Sequence, residues 1–425
     1  MHQQAPTKGR DRTSPHGSGG GRIPVVDALR GFALLGILMV NITYFASAYH
    51  GTGLEDPGFA APLDRGVRYL VTILFETKFY LLFSFLFGYS FTLQMDSAAR
   101  TGSRFVPRFL RRLSALFLIG AFHAVLLFPG DILTTYACLG LLLLAARRVR
   151  PRTAVRTAIA LLVATAAGYL ALATVQMAAG GGGVDAAAVS PQVQRTAEGL
   201  RGGPGSVIAT YLDQLPEVVQ LLVFFQAPAA LAAFLLGLAA GKRRVLTDLG
   251  RIGRVLRRLQ WIGAPVGLIG GIVYAHASLE YPGTAYQMFA LGLDMLTAPL
   301  LAAAYAATLL RWTSSRRGRR AAEVLSPAGR MTLTAYLTQS LACALVFTGY
   351  GAAMVGRLSP PWVLAVAIVL FAAQLAACKW WMGRHPHGPL EWVLRAVTNA
   401  AWPRRRTARW TSASAAATGG ESPSR

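Results

Sequence analysis

Apolar residues run along this chain in long blocks that short polar or basic stretches separate. Each block holds about 15 to 27 residues, and about 20 apolar residues let a helix cross the roughly 30 Å hydrocarbon core of a bilayer. The pattern predicts an all-α fold, a polytopic transmembrane helical bundle of about ten spans. The predicted spans cover residues 23–46, 69–94, 109–128, 132–146, 155–178, 217–240, 259–276, 284–310, 331–349 and 361–382.

The composition excludes an ordinary soluble protein. Of the 425 residues, 54% are hydrophobic and only 14% are charged, whereas globular proteins have about 25% charged residues. The three cysteines, Cys138, Cys343 and Cys378, lie inside apolar blocks without a spacing typical of metal sites or disulfides. We therefore interpret them as small core residues and predict no metal site.

The basic residues predict how the chain is threaded through the membrane. Formal net charge is +24, and 35 of the 42 Lys and Arg residues fall in the tails and every second loop. Short cytoplasmic loops retain Lys and Arg, so both termini should face the cytoplasm. Basic residues spread in this way indicate attraction to lipid head groups rather than binding of nucleic acid.

The loops also divide the chain into regions. Residues 1–21 and 401–425 are predicted to be disordered tails, and the first tail has no apolar run typical of a signal peptide. A first bundle of five spans covers residues 22–178, and a Gly-rich segment opens an exported linker over 179–216. A second bundle covers 217–400 and ends in an amphipathic helix, after Gly388 and Pro389, that we expect at the membrane interface.

Few ionisable residues lie inside the predicted spans, and each is a candidate functional residue because an unpaired charge is costly in hydrocarbon. They are Asp27, Arg30, Glu76, Lys78, His123 and Asp294. We expect them to gather around one hydrated chamber. The three embedded acids exceed the two permanent cations, so one acid would be protonated or His123 charged.

Asp27 and Arg30 are three residues apart and share one face of a helix. Arg30 and Asn41, eleven residues apart, lie within about 20° of the same direction. Two interpretations remain open for this stripe. Asp27 and Arg30 form an internal ion pair that fixes helix packing, or Arg30 faces a cavity open to the cytoplasm and binds an anionic ligand.

His123 and Asp131 also have two interpretations each. His123 is a packing residue or a general base whose ring a carboxylate orients. Asp131 is that carboxylate or the N-cap of the fourth span, with Thr134 in its first turn. In the ninth span, Tyr336, Gln339 and Ser340 share a face that is typical of hydrogen bonding between helices.

Several motifs in this order resemble the YeiB-like family of bacterial membrane proteins, whose C-terminal domain has no known function. They are Asp27-Ala28-Leu29-Arg30-Gly31, Lys78-Phe79, His123, Gly130-Asp131-Ile132-Leu133, Gly329-Arg330-Met331-Thr332 and Gly388-Pro389-Leu390-Glu391-Trp392. The resemblance covers about residues 22 to 400 and implies that the protein lies in the inner (plasma) membrane of a bacterial cell.

The Asp-x-x-Arg-Gly opening is also similar to that of integral-membrane acyltransferases such as the heparan-α-glucosaminide N-acetyltransferase group. That similarity implies transfer of an acyl group from cytoplasmic acyl-CoA, as a co-substrate, to an envelope glycan or lipid. The catalytic histidine that those enzymes carry in an exported loop has no clear match, because the residues around His50 differ.

On this resemblance we expect His123 to act as the base and Asp131 to orient it. Binding of acyl-CoA would involve Arg30, Asp27 and Lys78, and the acceptor would meet Asn41, Asp294, Tyr336 and Gln339. Two alternatives stay open. One is a transporter or exporter of a small solute with a path through Asp27, Glu76, Lys78 and Asp294, and the other is a membrane scaffold without catalysis.

Overall fold

The computed structural model describes residues 23–180 and 182–401, and within these residues it contains helices and no strand. Both predicted tails lie outside the described residues, except Ala401. Helices of the first half are α1 (Pro24–Ala46), α2 (Pro62–Leu74), α3 (Lys78–Arg100), α4 (Phe105–Leu126), α5 (Ile132–Ala145), α6 (Pro151–Ala178) and α7 (Ala186–Arg201). The prediction of an all-α bundle is confirmed.

The second half begins with a long helix that contains one π-helical turn. Its parts are α8 (Pro204–Leu221), the turn Leu222–Gln226 and α9 (Ala227–Lys242). A second π-helical turn, Leu259–Gly263, joins α10 (Gly253–Arg258) to α11 (Ala264–Glu280). The remaining helices are α12 (Ala285–Trp312), α13 (Arg316–Arg330), α14 (Thr332–Phe347), α15 (Pro360–Arg384) and α16 (Pro389–Asn399).

Eight of these helical segments are long and apolar enough to cross a membrane, and α14 is a shorter apolar helix. With the 14-residue α5, this agrees with about ten predicted spans. Large apolar side chains such as Phe122, Phe224 and Val369 stay exposed on the outer helix faces. Contact with lipid explains why these faces are apolar, because exposing so much apolar area to water would be unfavourable. The chain is a multi-pass membrane protein.

The segment 179–216 differs from its prediction as a linker, because most of it is helical. Asp185 caps α7 by accepting a hydrogen bond from the Ala187 N–H, and Pro204 starts α8 at a position where its missing N–H costs nothing. Val207 and Tyr211 of α8 are buried in a small apolar cluster with Leu200. The expected boundary at residue 217 therefore falls inside a continuous helix.

The second predicted span is also different, because it is broken between α2 and α3. Thr77 has a φ of 63°, and a β-branched residue in this left-handed region is rare and strained. Helical hydrogen bonding cannot continue through such a residue. The stretch Phe75-Glu76-Thr77-Lys78 contains neither Gly nor Pro, so the sequence offers no signal for the break.

The two ends of the bundle differ in charge. At one end, called the basic end below, Arg108 and Arg111 of α4 contact Asn399 and Thr398 of α16. Lys242 there donates hydrogen bonds to the backbone carbonyls of Arg147 and Val149, in the connection between α5 and α6. The opposite end holds the loop 47–61, which begins directly after α1. That the basic end faces the cytoplasm stays a prediction.

Candidate functional site

A fully buried ion pair lies beside the break between α2 and α3. Lys78, the first residue of α3, brings its Nζ to 3.2 Å from Oδ1 of Asp294 on α12, and both side chains have no solvent exposure. The Thr77 hydroxyl lies 2.6 Å from Asp294 Oδ2. Lys78 Nζ also lies 5.6 Å from the centre of the Tyr274 ring, within cation–π range. Lys78 and Asp294, which each need a partner of opposite charge inside the membrane, are thus paired with each other.

On the other side of Thr77 is a cavity of about 80 Å³. Since one water molecule takes up about 30 Å³ of the liquid, this space suits a few waters or a small functional group. Its polar lining comes from side chains on three helices (α1, α3 and α14), in the break before α3 and in one π-helical turn. The lining residues are Gly36, Ile37, Val40, Asn41, Phe75, Thr77, Phe79, Tyr80, Gly130, Ile132, Gln226 and Tyr336.

Close packing of α1 on α3 shapes one wall of this cavity. A methyl group at Gly36 of α1 would overlap the ring of Phe79, so only glycine lets the two helices approach this closely. Small residues at such contacts are typical of membrane helices. Phe79 is the second residue of α3, and its position holds the start of α3 against α1.

His123 and Asp131 form a second buried pair next to the cavity wall. His123 Nδ1, near the end of α4, lies 2.9 Å from Asp131 Oδ1, and neither side chain is more than 1% exposed. The other oxygen, Asp131 Oδ2, accepts a 2.7 Å hydrogen bond from the Thr134 N–H and caps α5. Asp131 is therefore the predicted N-cap and, at the same time, the carboxylate closest to His123.

The rest of the His123 ring faces Tyr336, whose own ring centre is 5.0 Å away. His123 Nε2 and the Tyr336 hydroxyl are buried and have no hydrogen-bond partner among the described residues. His123 Nδ1 and Asp131 Oδ1 are 2.9 Å apart but do not meet the geometry of a hydrogen bond. Buried polar atoms without partners are rare in proteins, so two of them around one cavity wall mark a candidate site.

A second histidine lies near the helix break on the opposite side. His50, in the loop after α1, places Nε2 3.2 Å from the Thr43 hydroxyl and 3.6 Å from a Glu76 oxygen. Burial lowers the pKa of His50 below its usual value, and the Glu76 carboxylate opposes that shift. His50 is therefore neutral at neutral pH. The sequence did not single out His50 as a candidate base, because the residues around it do not reproduce the loop motif of the acyltransferases.

Asp27 and Arg30 form the ion pair that their spacing predicts. Arg30 donates a 2.9 Å hydrogen bond to Asp27 Oδ1 and a second one to the Ser90 hydroxyl on α3. The pair lies at the basic end of α1, and eleven residues of helix, or about 16 Å, separate Arg30 from Asn41. Asp27 and Arg30 are not among the residues that line the cavity.

The predicted site residues thus fall into two groups instead of one chamber. Asn41 and Tyr336 line the cavity, Lys78 and Asp294 lie directly behind Thr77, and His123 and Asp131 lie directly behind Tyr336. A separate group at the basic end contains Asp27 and Arg30.

Gln339 belongs to neither group. Its amide nitrogen donates a 2.7 Å hydrogen bond to Gln374 Oε1 on α15, and the Gln374 amide donates in turn to the Ala335 carbonyl. This contact joins α14 to α15, as expected of polar residues between membrane helices. The structure thus gives Gln339 a packing contact and places it away from the cavity lining.

Three site residues were not identified from the sequence, namely Thr77, Ser90 and Gln226. Thr77 and Gln226 reach the cavity because the chain departs from regular α-helix at both places, at the break and in the π-helical turn. Irregular turns of this kind are frequent at functional sites. Ser90 lies one helix away from Arg30, and only the packing of α1 on α3 brings the two together.

Comparison with known proteins identifies relatives along nearly the whole chain. It is 31% identical over 396 residues to the "Uncharacterized protein YxaH" of Bacillus subtilis (strain 168), covering 90% of this chain and 95% of the relative. Identity to the "Uncharacterized protein YeiB" of Escherichia coli (strain K12) is 26% over 396 residues, covering 88% and 95%. Residues 240–401 match the family described as "Protein of unknown function (DUF418)". The chain therefore belongs to the YeiB-like family of membrane proteins that carry this domain.

Proposed function

We propose that this protein is a membrane-embedded acyltransferase in which His123 is the general base. The observation that carries the proposal is the buried His123–Asp131 pair behind Tyr336, at the wall of a small polar cavity. Asp131 is fixed by the Thr134 N–H and can stabilise a positive charge on the ring. Nε2 has no hydrogen bond within the described residues and is therefore free to take a proton.

The reaction needs a base that is neutral before the reaction and charged during it. In the proposed step, Nε2 of His123 takes the proton from a hydroxyl or amine of the acceptor. The acceptor oxygen or nitrogen then attacks the thioester carbonyl carbon of acyl-CoA. The C–S bond breaks, and the CoA sulfur leaves with the proton that His123 returns. Tyr336 lines the cavity, and its hydroxyl has no partner among the described residues, so it would donate a hydrogen bond to the carbonyl oxygen.

The two groups of polar residues fit the two parts of such a donor. The pantetheine arm of CoA is long and flexible, and it separates the thioester from the phosphates. A donor that enters from the basic end would place its phosphates near Arg30 and its thioester near the cavity, about 16 Å further along α1. An envelope glycan or lipid would reach the cavity from the opposite end, where the loop 47–61 lies.

Turnover of acyl-CoA by purified protein in nanodiscs, with envelope extract as acceptor, tests this function. His123→Asn should reduce turnover by about 100-fold or more, as is typical for loss of a general base. His276→Asn is the matched control, because His276 is an exposed histidine on α11. Equal turnover by wild type and His123→Asn, with both proteins folded, would exclude His123 as the base. Loss with His50→Asn instead would move the base to the other side of the helix break.

One observation favours a second function, that of a transporter. The break at Thr77 puts an unwound segment beside the buried Lys78–Asp294 pair, and discontinuous helices next to charged residues form the sites of many secondary transporters. This function predicts proton-driven uptake or export of a solute by proteoliposomes. Uptake should disappear with Asp294→Asn and fall with Glu76→Gln at equal amounts of folded protein, and it should persist with His123→Asn.

A further inference from the structure

Neighbouring arginines near the start of α4 differ in what they bind. Arg108 donates a 2.8 Å hydrogen bond to the Asn399 side chain, and Arg111 donates to the Thr398 carbonyl, so both attach α16 to α4. Arg112 is partly buried, and its Nε has no hydrogen-bond partner among the described residues. A buried N–H group without an acceptor is costly, so the Nε–H of Arg112 requires a further explanation.

The charges around Arg112 are mostly positive. Arg112 is close enough to interact electrostatically with Arg30 on α1 and with Glu391 and Arg395 on α16. Three arginines from three helices thus converge at the basic end. Within residues 23–180 and 182–401, two carboxylates accompany them, Glu391 and the Asp27 that pairs with Arg30.

Both carboxylates already have other hydrogen-bond donors. Glu391 Oε1 accepts from the Leu333 and Thr334 N–H groups, and Oε2 accepts from the Thr334 hydroxyl. Glu391 therefore caps the first turn of α14. Asp27 accepts from Arg30 through a 2.9 Å hydrogen bond. Counted over the described part of the chain, the cluster has three arginines and two carboxylates, and neither carboxylate hydrogen-bonds to Arg112.

Arg30, one of the three arginines in this cluster, is held in a fixed orientation. Asp27 binds one of its terminal nitrogens and Ser90 the other. Ser90 donates its own proton to the Leu86 carbonyl, so its oxygen can only accept from Arg30. Fixed arginines of this kind recognise planar or tetrahedral oxyanions through paired hydrogen bonds, which lysine cannot provide.

We infer that Arg112, together with Arg30 and Arg395, forms a binding site for a phosphate group at the basic end of the bundle. A phosphate supplies negative charge beside the arginines and an acceptor for the Arg112 Nε–H, which has no partner in the part of the chain that the structure describes. The identity of the ligand as the phosphates of acyl-CoA rests on the proposed function. The phosphate site itself does not, because a lipid phosphate or a soluble phosphate ester would satisfy the same three side chains.

Binding of free CoA and of pantetheine, which lacks the phosphates, distinguishes these sources. The protein is placed in nanodiscs of phosphatidylcholine, and affinity is measured by calorimetry. Wild type should bind CoA and show much weaker binding of pantetheine. Arg112→Gln should weaken CoA binding by about tenfold or more, in the range expected for a lost charged hydrogen bond. Arg104→Gln removes the same charge from the exposed start of α4 and should change little.

A second arm of the experiment uses nanodiscs that contain phosphatidylglycerol. If wild type binds no CoA, but this lipid raises its melting temperature and Arg112→Gln abolishes the increase, the phosphate site stands and its ligand is a lipid. Arg112→Lys keeps the charge and the fold, and it should recover only part of the binding. If Arg112→Gln folds and binds CoA and lipid as wild type does, the inference is wrong.

The same measurement separates this inference from the proposed function. His123 lies beside the cavity and not at the basic end. The His123→Asn variant should therefore bind CoA with unchanged affinity while its turnover is lost. CoA binding that depends on Arg112, together with turnover that does not depend on His123, would keep the phosphate site and overturn the catalytic role of His123.

Discussion

Two acid–base pairs of this protein, Lys78–Asp294 and Arg30–Asp27, have similar geometry but very different surroundings. In the first pair both side chains are 0% exposed, whereas Arg30 is 25% and Asp27 is 7% exposed. A fully enclosed pair depends on each partner, because either charge alone would remain in a medium that cannot solvate it. The exposed edge of Arg30 leaves that residue able to meet a ligand. Burial therefore separates an ion pair that holds helices together from one that is available for binding.

The largest expected effect is at the enclosed pair. Asp294→Asn should lower the free energy of unfolding by about 3 to 5 kcal/mol, because Lys78 loses its counter-charge where no water can replace it. Unfolding in denaturant, followed in detergent micelles, measures the change. The double variant Lys78→Met with Asp294→Leu should recover most of the loss. A double variant that is less stable than the single one would show that the pair contributes more than apolar packing can.

A smaller effect is expected for the same substitution at the partly exposed pair. Asp27→Asn should cost about 1 kcal/mol or less, since solvent near the basic end screens the remaining charge on Arg30. The same denaturant measurement applies, and Asp294→Asn is its matched comparison. A loss at Asp27 as large as that at Asp294 would mean that the basic end is as closed as the region behind Thr77.

The smallest effect concerns a third pair of intermediate exposure, His50 and Glu76, with side chains 22% and 14% exposed. Because burial lowers the pKa of His50, the unfolded chain takes up the His50 proton at a higher pH than the folded protein does. His50 thus favours the folded state above its unfolded pKa of about 6.5, and this advantage is lost as the pH falls.

Melting temperatures between pH 7.5 and pH 5.5 test this third case. Wild type should lose more thermal stability over this range than His50→Asn, which has no proton to gain at that position. Identical pH profiles for the two proteins would show that His50 reaches water freely and that the loop 47–61 does not bury it.

The sequence predicted the features that depend on local spacing. Asp27 and Arg30 are three residues apart, and this spacing alone places them on one helix face. Asp131 follows Pro129 and Gly130 and precedes Thr134, which is sufficient to predict an N-cap. Long apolar blocks predicted the spans for the same reason, because the length of a bilayer-crossing helix is set by the thickness of the membrane.

Features that depend on packing between distant segments could not be predicted in this way. The need of Lys78 and Asp294 for partners was visible, but 216 residues separate them, and the sequence does not show that they meet. The break at Thr77 contains no Gly or Pro, so contacts with α1 and α12 determine it and local preference does not. The environment of Arg112 could not be predicted for the same reason, because its neighbours come from α1 and α16. In the sequence, Arg112 is only one of several arginines near the start of α4.

The cap that Glu391 places on α14 connects the basic end to the cavity wall. Glu391 lies on α16, which Arg108 and Arg111 also attach to α4, and Tyr336 lies within one turn of the two backbone N–H groups that Glu391 binds. A change that detaches α16 from the bundle would therefore uncap α14 and loosen the cavity wall at Tyr336, although α16 itself does not line the cavity.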